Sequence, residues 1–136
     1  MLDRGPRPDR SSAALQGSRC HRHHKCTPLR HSVSAVKKGV DIISIDGFEC
    51  AGHLGEDGVG LAVLLPATVD ALPDTPKIAS GGMADGRNKI VALPLGADAL
   101  NMGTRFCATV EATSRQNVTQ HIVGARELDT VLVGRM

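Results

Sequence analysis

Aromatic side chains are nearly absent from this 136-residue chain, which has two phenylalanines, no tyrosine and no tryptophan. Nucleic-acid bases would have almost nothing to stack on, so nucleic-acid binding is not expected. No apolar run approaches the roughly 20 residues that span a bilayer, and the N-terminus lacks the apolar stretch of a secretory signal. A cytoplasmic protein with no membrane partner is expected. The four cysteines, Cys20, Cys26, Cys50 and Cys107, form no C-x-x-C pair, so neither a redox dithiol nor a disulfide framework is expected. The cluster Cys20-His21-Arg22-His23-His24-Lys25-Cys26 has the composition of a metal site. It lacks the second, distant ligand pair of structural zinc spacing, and no metal is expected.

What is present is an ordinary globular composition, 41% hydrophobic and 22% charged, in a chain long enough to bury a core. The net charge of +2 is unevenly spread: residues 1–30 hold seven Lys or Arg against two acids, and the remainder nine against twelve. Residues 1–23 mix Arg, Pro, Ser and Gly without helix or strand period and read as a disordered basic tail. Their Arg-rich, acid-poor start resembles a mitochondrial transit peptide in composition, but Pro6, Pro8, Asp3 and Asp9 spoil an amphipathic helix. Residues 24–136 read as the ordered unit.

In that unit helix-like and strand-like segments alternate. Arg30–Lys38 predicts a short helix closed by Lys37, Lys38 and a Gly39 cap. Ile42–Asp46 predicts a strand, and Leu61–Leu72 a helix starting near Pro66. The plan then repeats with a strand Lys77–Ser80, a helix Gly86–Leu95, a Gly96 cap and a strand Ala97–Asn101. Gly96-Ala97-Asp98-Ala99 echoes Gly39-Val40-Asp41-Ile42 at the same helix-to-strand junction. A last helix is expected over Glu111–Val123, followed by a short apolar run at Asp129–Val133. Apolar strands separated by helices predict an α/β parallel sheet, either a barrel or an open doubly wound sheet.

Three successive strand ends carry site-like residues. Glycine pairs there let backbone amides approach a phosphate, so Ser80-Gly81-Gly82 and Gly103-Thr104 are phosphate candidates, although either pair alone serves equally as a tight turn. A phosphate held after the last two strands is the usual (β/α)8 barrel arrangement. His53 lies among Gly52, Gly55 and Glu56, too polar a setting for a core position. An unperturbed imidazole, with a pKa of about 6.5, suits a general base near neutral pH. Glu49, Glu56 and Asp57 are candidates to orient it, or are plain loop acids. Cys50 has no identifiable base and orienting group, so it reads as small buried filler. His31 and His121 read as ordinary helix residues.

The segments His24-Lys25-Cys26-Thr27, Arg30-His31, Gly39-Val40-Asp41, Asp46-Gly47-Phe48-Glu49-Cys50-Ala51-Gly52-His53, Ala79-Ser80-Gly81-Gly82-Met83-Ala84-Asp85-Gly86 and Asn101-Met102-Gly103-Thr104-Arg105-Phe106 together resemble the nitronate monooxygenase family, formerly the 2-nitropropane dioxygenases. The resemblance covers nearly all of residues 24–136. It implies an FMN-dependent (β/α)8 TIM barrel that oxidises alkyl nitronates with O2 to a carbonyl compound and nitrite. It implies His53 as the catalytic base. It further implies Ser80, Gly81, Gly82, Gly103 and Thr104 at the FMN phosphate, Asp46, Ala51 and Gly52 along the flavin, and Lys25 and Asn101 among the other cofactor-binding residues.

Departures from the family bear on how much of this applies. A (β/α)8 barrel takes about 250 residues, so the chain is expected to be a partial barrel, roughly the second half, from a truncated gene product. Pro94 falls inside the helix before Gly96, where it costs about 3 kcal/mol unless the helix ends there. Exposed strand edges then predict self-association. The alternatives are an FMN-dependent NAD(P)H:quinone reductase, an inosine-monophosphate-dehydrogenase-like barrel whose catalytic cysteine loop is not found here, and a non-catalytic remnant.

Overall fold

The computed structural model describes residues 21–52 and 57–131; every structural statement below concerns these residues. Four parallel strands, β1 (His23–Cys26), β2 (Ile42–Asp46), β3 (Lys77–Ser80) and β4 (Ala99–Asn101), lie side by side in sequence order. The crossovers run through α1 (Leu29–Lys37), α2 (Leu61–Ala71) and α3 (Gly86–Ala92). Two further helices follow β4, α4 (Thr104–Cys107) and α5 (Gln116–Gly124).

The strand period of two divides the sheet into unlike faces. Cys26, Ile43, Ile45 and Ala79 join Ala35 of α1, Leu61, Leu64 and Leu65 of α2 and Ala92 of α3 in one buried apolar cluster. Alternate positions carry Lys25, Ser44, Asp46, Ser80 and Asn101, so the face turned from the helices is polar toward the strand ends. That is the construction of a (β/α)8 barrel wall, helices outside and functional groups at the carboxyl ends inside.

The repeated junction seen in the sequence is a repeated set of bonds. Gly39 and Gly96 both have positive φ, +82° and +95°. Gly39 N donates to Val36 O and Val40 N to Ala35 O; Gly96 N donates to Leu93 O and Ala97 N to Ala92 O. Asp41 then accepts from Arg22 N at 2.7 Å, and Asp98 from Lys77 N at 2.8 Å. Each aspartate thus ties the start of its own strand to the start of the neighbouring one.

Several element bounds differ from the sequence expectation. α2 begins at Leu61, five residues before Pro66, which sits inside the helix. Leu61, Leu64, Leu65 and Thr68 form a buried stripe at helical spacing. Burying three leucines contributes roughly 1.5–3 kcal/mol each, which outweighs the single hydrogen bond a proline lacks. Conversely, α3 stops at Ala92 instead of Leu95: Leu93 keeps helical geometry and its N–H donates to Lys89 O, but Pro94 has no N–H with which to continue the helix. Its start is well capped: Asp85 accepts from Arg87 N at 2.9 Å and Asn88 Oδ1 accepts from Asp85 N at 3.0 Å. β4 starts at Ala99 rather than Ala97, since Ala97 and Asp98 are spent on the junction just described. α5 starts at Gln116 rather than Glu111, and α4 was not expected. Residues 129–131 form no regular element, and 132 and 133 lie outside the described residues. Residues 1–20 of the expected tail also lie outside them, while His23 belongs to β1.

Candidate functional site

The carboxyl ends of the four strands and the loops that follow surround a cavity of about 460 Å3. This falls within the roughly 300–1,000 Å3 of small-molecule and cofactor sites. Its wall is assembled from the end of β1, the loop after β2, the ends of β3 and β4 with the segments that follow, and α5.

Lys25 of β1 reaches the Asp46 carboxylate of β2, with Nζ 2.8 Å from Oδ2. The Asp46 side chain is 1% exposed and that of Lys25 57% exposed, so a buried anion holds a cation at the cavity wall. The contact is within hydrogen-bonding range though poorly aligned, and Asp46 Oδ1 meets no donor among the described residues. It raises the Lys25 pKa above its ordinary value, with partial burial opposing and the Asp46 charge adding.

The loop after β2 packs against the loop after β3. Gly47 N donates to Ser80 O at 2.9 Å. A Cβ on Gly81 (φ +98°) would stand 3.1 Å from Cys50 N and Gly47 O, and one on Gly82 (φ +66°) 3.3 Å from Glu49 Cβ. These glycines therefore serve loop packing as well as any ligand. Gly103 differs, since nothing lies within 4 Å of a Cβ built there and its backbone is open to the cavity. Ser80 Oγ accepts from Asn101 Nδ2 at 3.2 Å, which leaves the serine proton available to a ligand acceptor.

Of the residues expected at a cofactor, Lys25, Ala51, Ser80, Gly81, Gly82, Asn101, Gly103 and Thr104 line this cavity. Asp46 is in contact with Lys25 and lines a second, smaller cavity of about 250 Å3, with Thr27, Phe48 and the Arg30–Asp57 ion pair. Gly52 (φ +89°) follows Ala51 and does not line the main cavity. His53 and Glu56 lie outside the described residues. Cys50 is buried on the cavity wall, and burial, reinforced by the Asp46 charge, raises its thiol pKa.

The sequence reading did not assign Met83, Ala84, Arg105, Ile122 and Val123 to the wall. Arg105, a cation directly after Gly103-Thr104, had a local signal; Ile122 and Val123 had none, because only the tertiary fold returns α5 to the strand ends. Among the described residues no three His, Cys, Asp or Glu side chains cluster as a metal site. No described helix is long and apolar enough to cross a membrane.

Parallel strands in sequence order, helices on one face and a cofactor-sized cavity at the carboxyl ends define a segment of a (β/α)8 barrel. The family model described as nitronate monooxygenase matches residues 3–136, so the chain belongs to that family. The match reaches into residues 3–23, beyond the segments quoted above. The family is one of oxidoreductases, generally flavin-dependent.

A Bacillus subtilis protein named "Probable nitronate monooxygenase" is 33% identical over 132 residues, covering 92% of this chain and 38% of its own length. The structure of a FabK mutant from Thermotoga maritima superposes with a TM-score of 0.89 at 32% identity, covering 96% of this chain and 43% of that one. A nitroalkane oxidase from Streptomyces ansochromogenes gives a TM-score of 0.74 at 29% identity, covering 79% and 33%. The chain spans about a third of the length of the curated relatives it matches. The described sheet is accordingly a partial barrel.

Proposed function

We propose that this chain provides one wall of an FMN site and serves, in the cytoplasm, the oxidation of alkyl nitronates by O2 to a carbonyl compound and nitrite. The observation that supports this best is the 460 Å3 cavity, where the cations Lys25 and Arg105, the polar Ser80, Asn101 and Thr104 and two glycine loops meet at the strand ends. These residues fit a phosphorylated cofactor. Backbone amides of Gly81, Gly82, Gly103 and Thr104, with the Ser80 hydroxyl that Asn101 contacts, would hold the phosphate. Lys25 and Ala51, on the cavity wall, would lie along the flavin, and Asp46 would act through the Lys25 ammonium that it contacts. Bound FMN supplies a two-electron acceptor. His53 orients the nitronate or, where the substrate arrives as the neutral nitroalkane, takes its α-proton as neutral imidazole.

The test is the visible spectrum of the 136-residue chain after incubation with FMN and removal of unbound cofactor. Retained flavin bands are expected; a colourless protein overturns the reading for this chain. Nitrite release from propionate 3-nitronate, measured beside quinone-dependent NADH oxidation, separates the monooxygenase from the quinone reductase. His53→Ala should lower the rate of nitrite release from the neutral nitroalkane about 10²–10⁴-fold.

A further inference from the structure

The loop leaving β2 is tied to the start of α2 by a side chain. Phe48 N donates to Val59 O at 2.8 Å, and beyond it Leu61 N donates to the Glu49 carboxylate, 3.1 Å from Oε1 and 3.0 Å from Oε2. Leu61 opens α2, and the residue before it, Gly60, has no side chain to cap the helix. A helix start carries unpaired amides and partial positive charge, so a carboxylate from twelve residues upstream fills the missing cap.

The surrounding glycines make room for it. A Cβ on Gly47 would collide with the Glu49 carboxylate and the Leu61 amide, and one on Gly60 would stand 3.0 Å from Oε1. Glu49 and the two residues after it, Cys50 and Ala51, line the cavity.

We propose that Glu49 is a positioning residue, whose carboxylate, by binding the N-terminus of α2, fixes Cys50 and Ala51 as a wall of the cavity against the Ser80–Gly82 loop. Its bearing on FMN and on His53 rests on the function proposed above. Its bearing on Cys50 and Ala51 rests on the geometry alone.

Thiol labelling of the 136-residue chain tests it, because the cysteines report separately. Cys107 is exposed and labels fast; Cys26, buried in β1, labels on global opening; Cys50 labels when its loop detaches; Cys20, outside the described residues, is replaced by Ser throughout. Glu49→Ala and Glu49→Gln both remove the charge that helps raise the Cys50 pKa, but only Gln keeps an acceptor for Leu61 N. Cys50 should therefore label roughly tenfold faster in Glu49→Ala than in Glu49→Gln, with Cys26 unchanged. Glu49→Asp, one methylene too short, should also speed Cys50.

Equal Cys50 rates in the Ala and Gln variants, or Cys26 accelerating in step with Cys50, would overturn the proposal. FMN dissociation constants on the same variants should rise for Ala and recover for Gln. If the unsubstituted chain binds no FMN, the proposed function fails while the labelling still decides the role of Glu49.

Discussion

A carboxylate buried beside a half-exposed ammonium gains little stability, since desolvation offsets the attraction and water screens the exposed partner. Asp46 and Lys25 are in that position. Replacing Asp46 by Asn should change unfolding free energy by no more than about 1 kcal/mol. It should nonetheless weaken FMN retention severalfold, because Lys25 is no longer held at the wall; urea titration and flavin binding measure the two effects. Because its pKa is raised in the fold, Lys25 contributes stability below the ordinary value of 10.5 that is lost as pH rises through the folded value.

Cys26 and Cys50, their pKa values raised chiefly by burial, act in the same sense above the ordinary thiol value of 9.0. His24, lowered chiefly by burial, contributes above 6.5 and loses that contribution as pH falls through its folded value. Melting temperature followed against pH should thus hold a plateau between about 6.5 and 9, with Cys50→Ala reducing the alkaline slope.

At the scale of elements, the duplicated helix-to-strand junction allows an internal comparison. Alanine at Gly39 or Gly96 pays roughly 1–2 kcal/mol for left-handed backbone. At Gly39 the new methyl would meet the mobile end of Arg22, whereas at Gly96 it would meet Val69 Cγ2 at 2.6 Å. Val69, a β-branched residue of α2, has little room to turn. Gly96→Ala should therefore destabilise clearly more than Gly39→Ala in denaturant unfolding. The prolines teach a related lesson: Pro66 is overridden by a stripe of buried leucines, while Pro94, with exposed Ile90 and Val91 before it, ends its helix. Local propensity loses where tertiary burial is large and wins where it is small.

For the molecule as a whole, the outer strands β1 and β4 are each paired on one side only among the described residues. Ile90, Val91, Phe106 and Val110 are also exposed. Open edges and apolar surface of this kind favour association. The isolated chain should show mass rising with concentration in sedimentation velocity, and Ile90→Glu with Val91→Lys should reduce that rise.

The sequence by itself determined the parallel alternation of strands and helices, with β2 and β3 placed residue for residue, and both glycine caps with their aspartates. These are local matters of period and backbone freedom. It also marked half of the residues that line the cavity, because strand-end glycines, Ser80 and Asn101 leave a local imprint. Only the tertiary structure decided that Asp46 holds Lys25, that Gly81 and Gly82 accommodate the loop after β2, that Glu49 caps a helix twelve residues on and that α5 completes the wall. Those contacts join residues far apart in the chain, and their energies arise from distance and burial that no window of sequence contains.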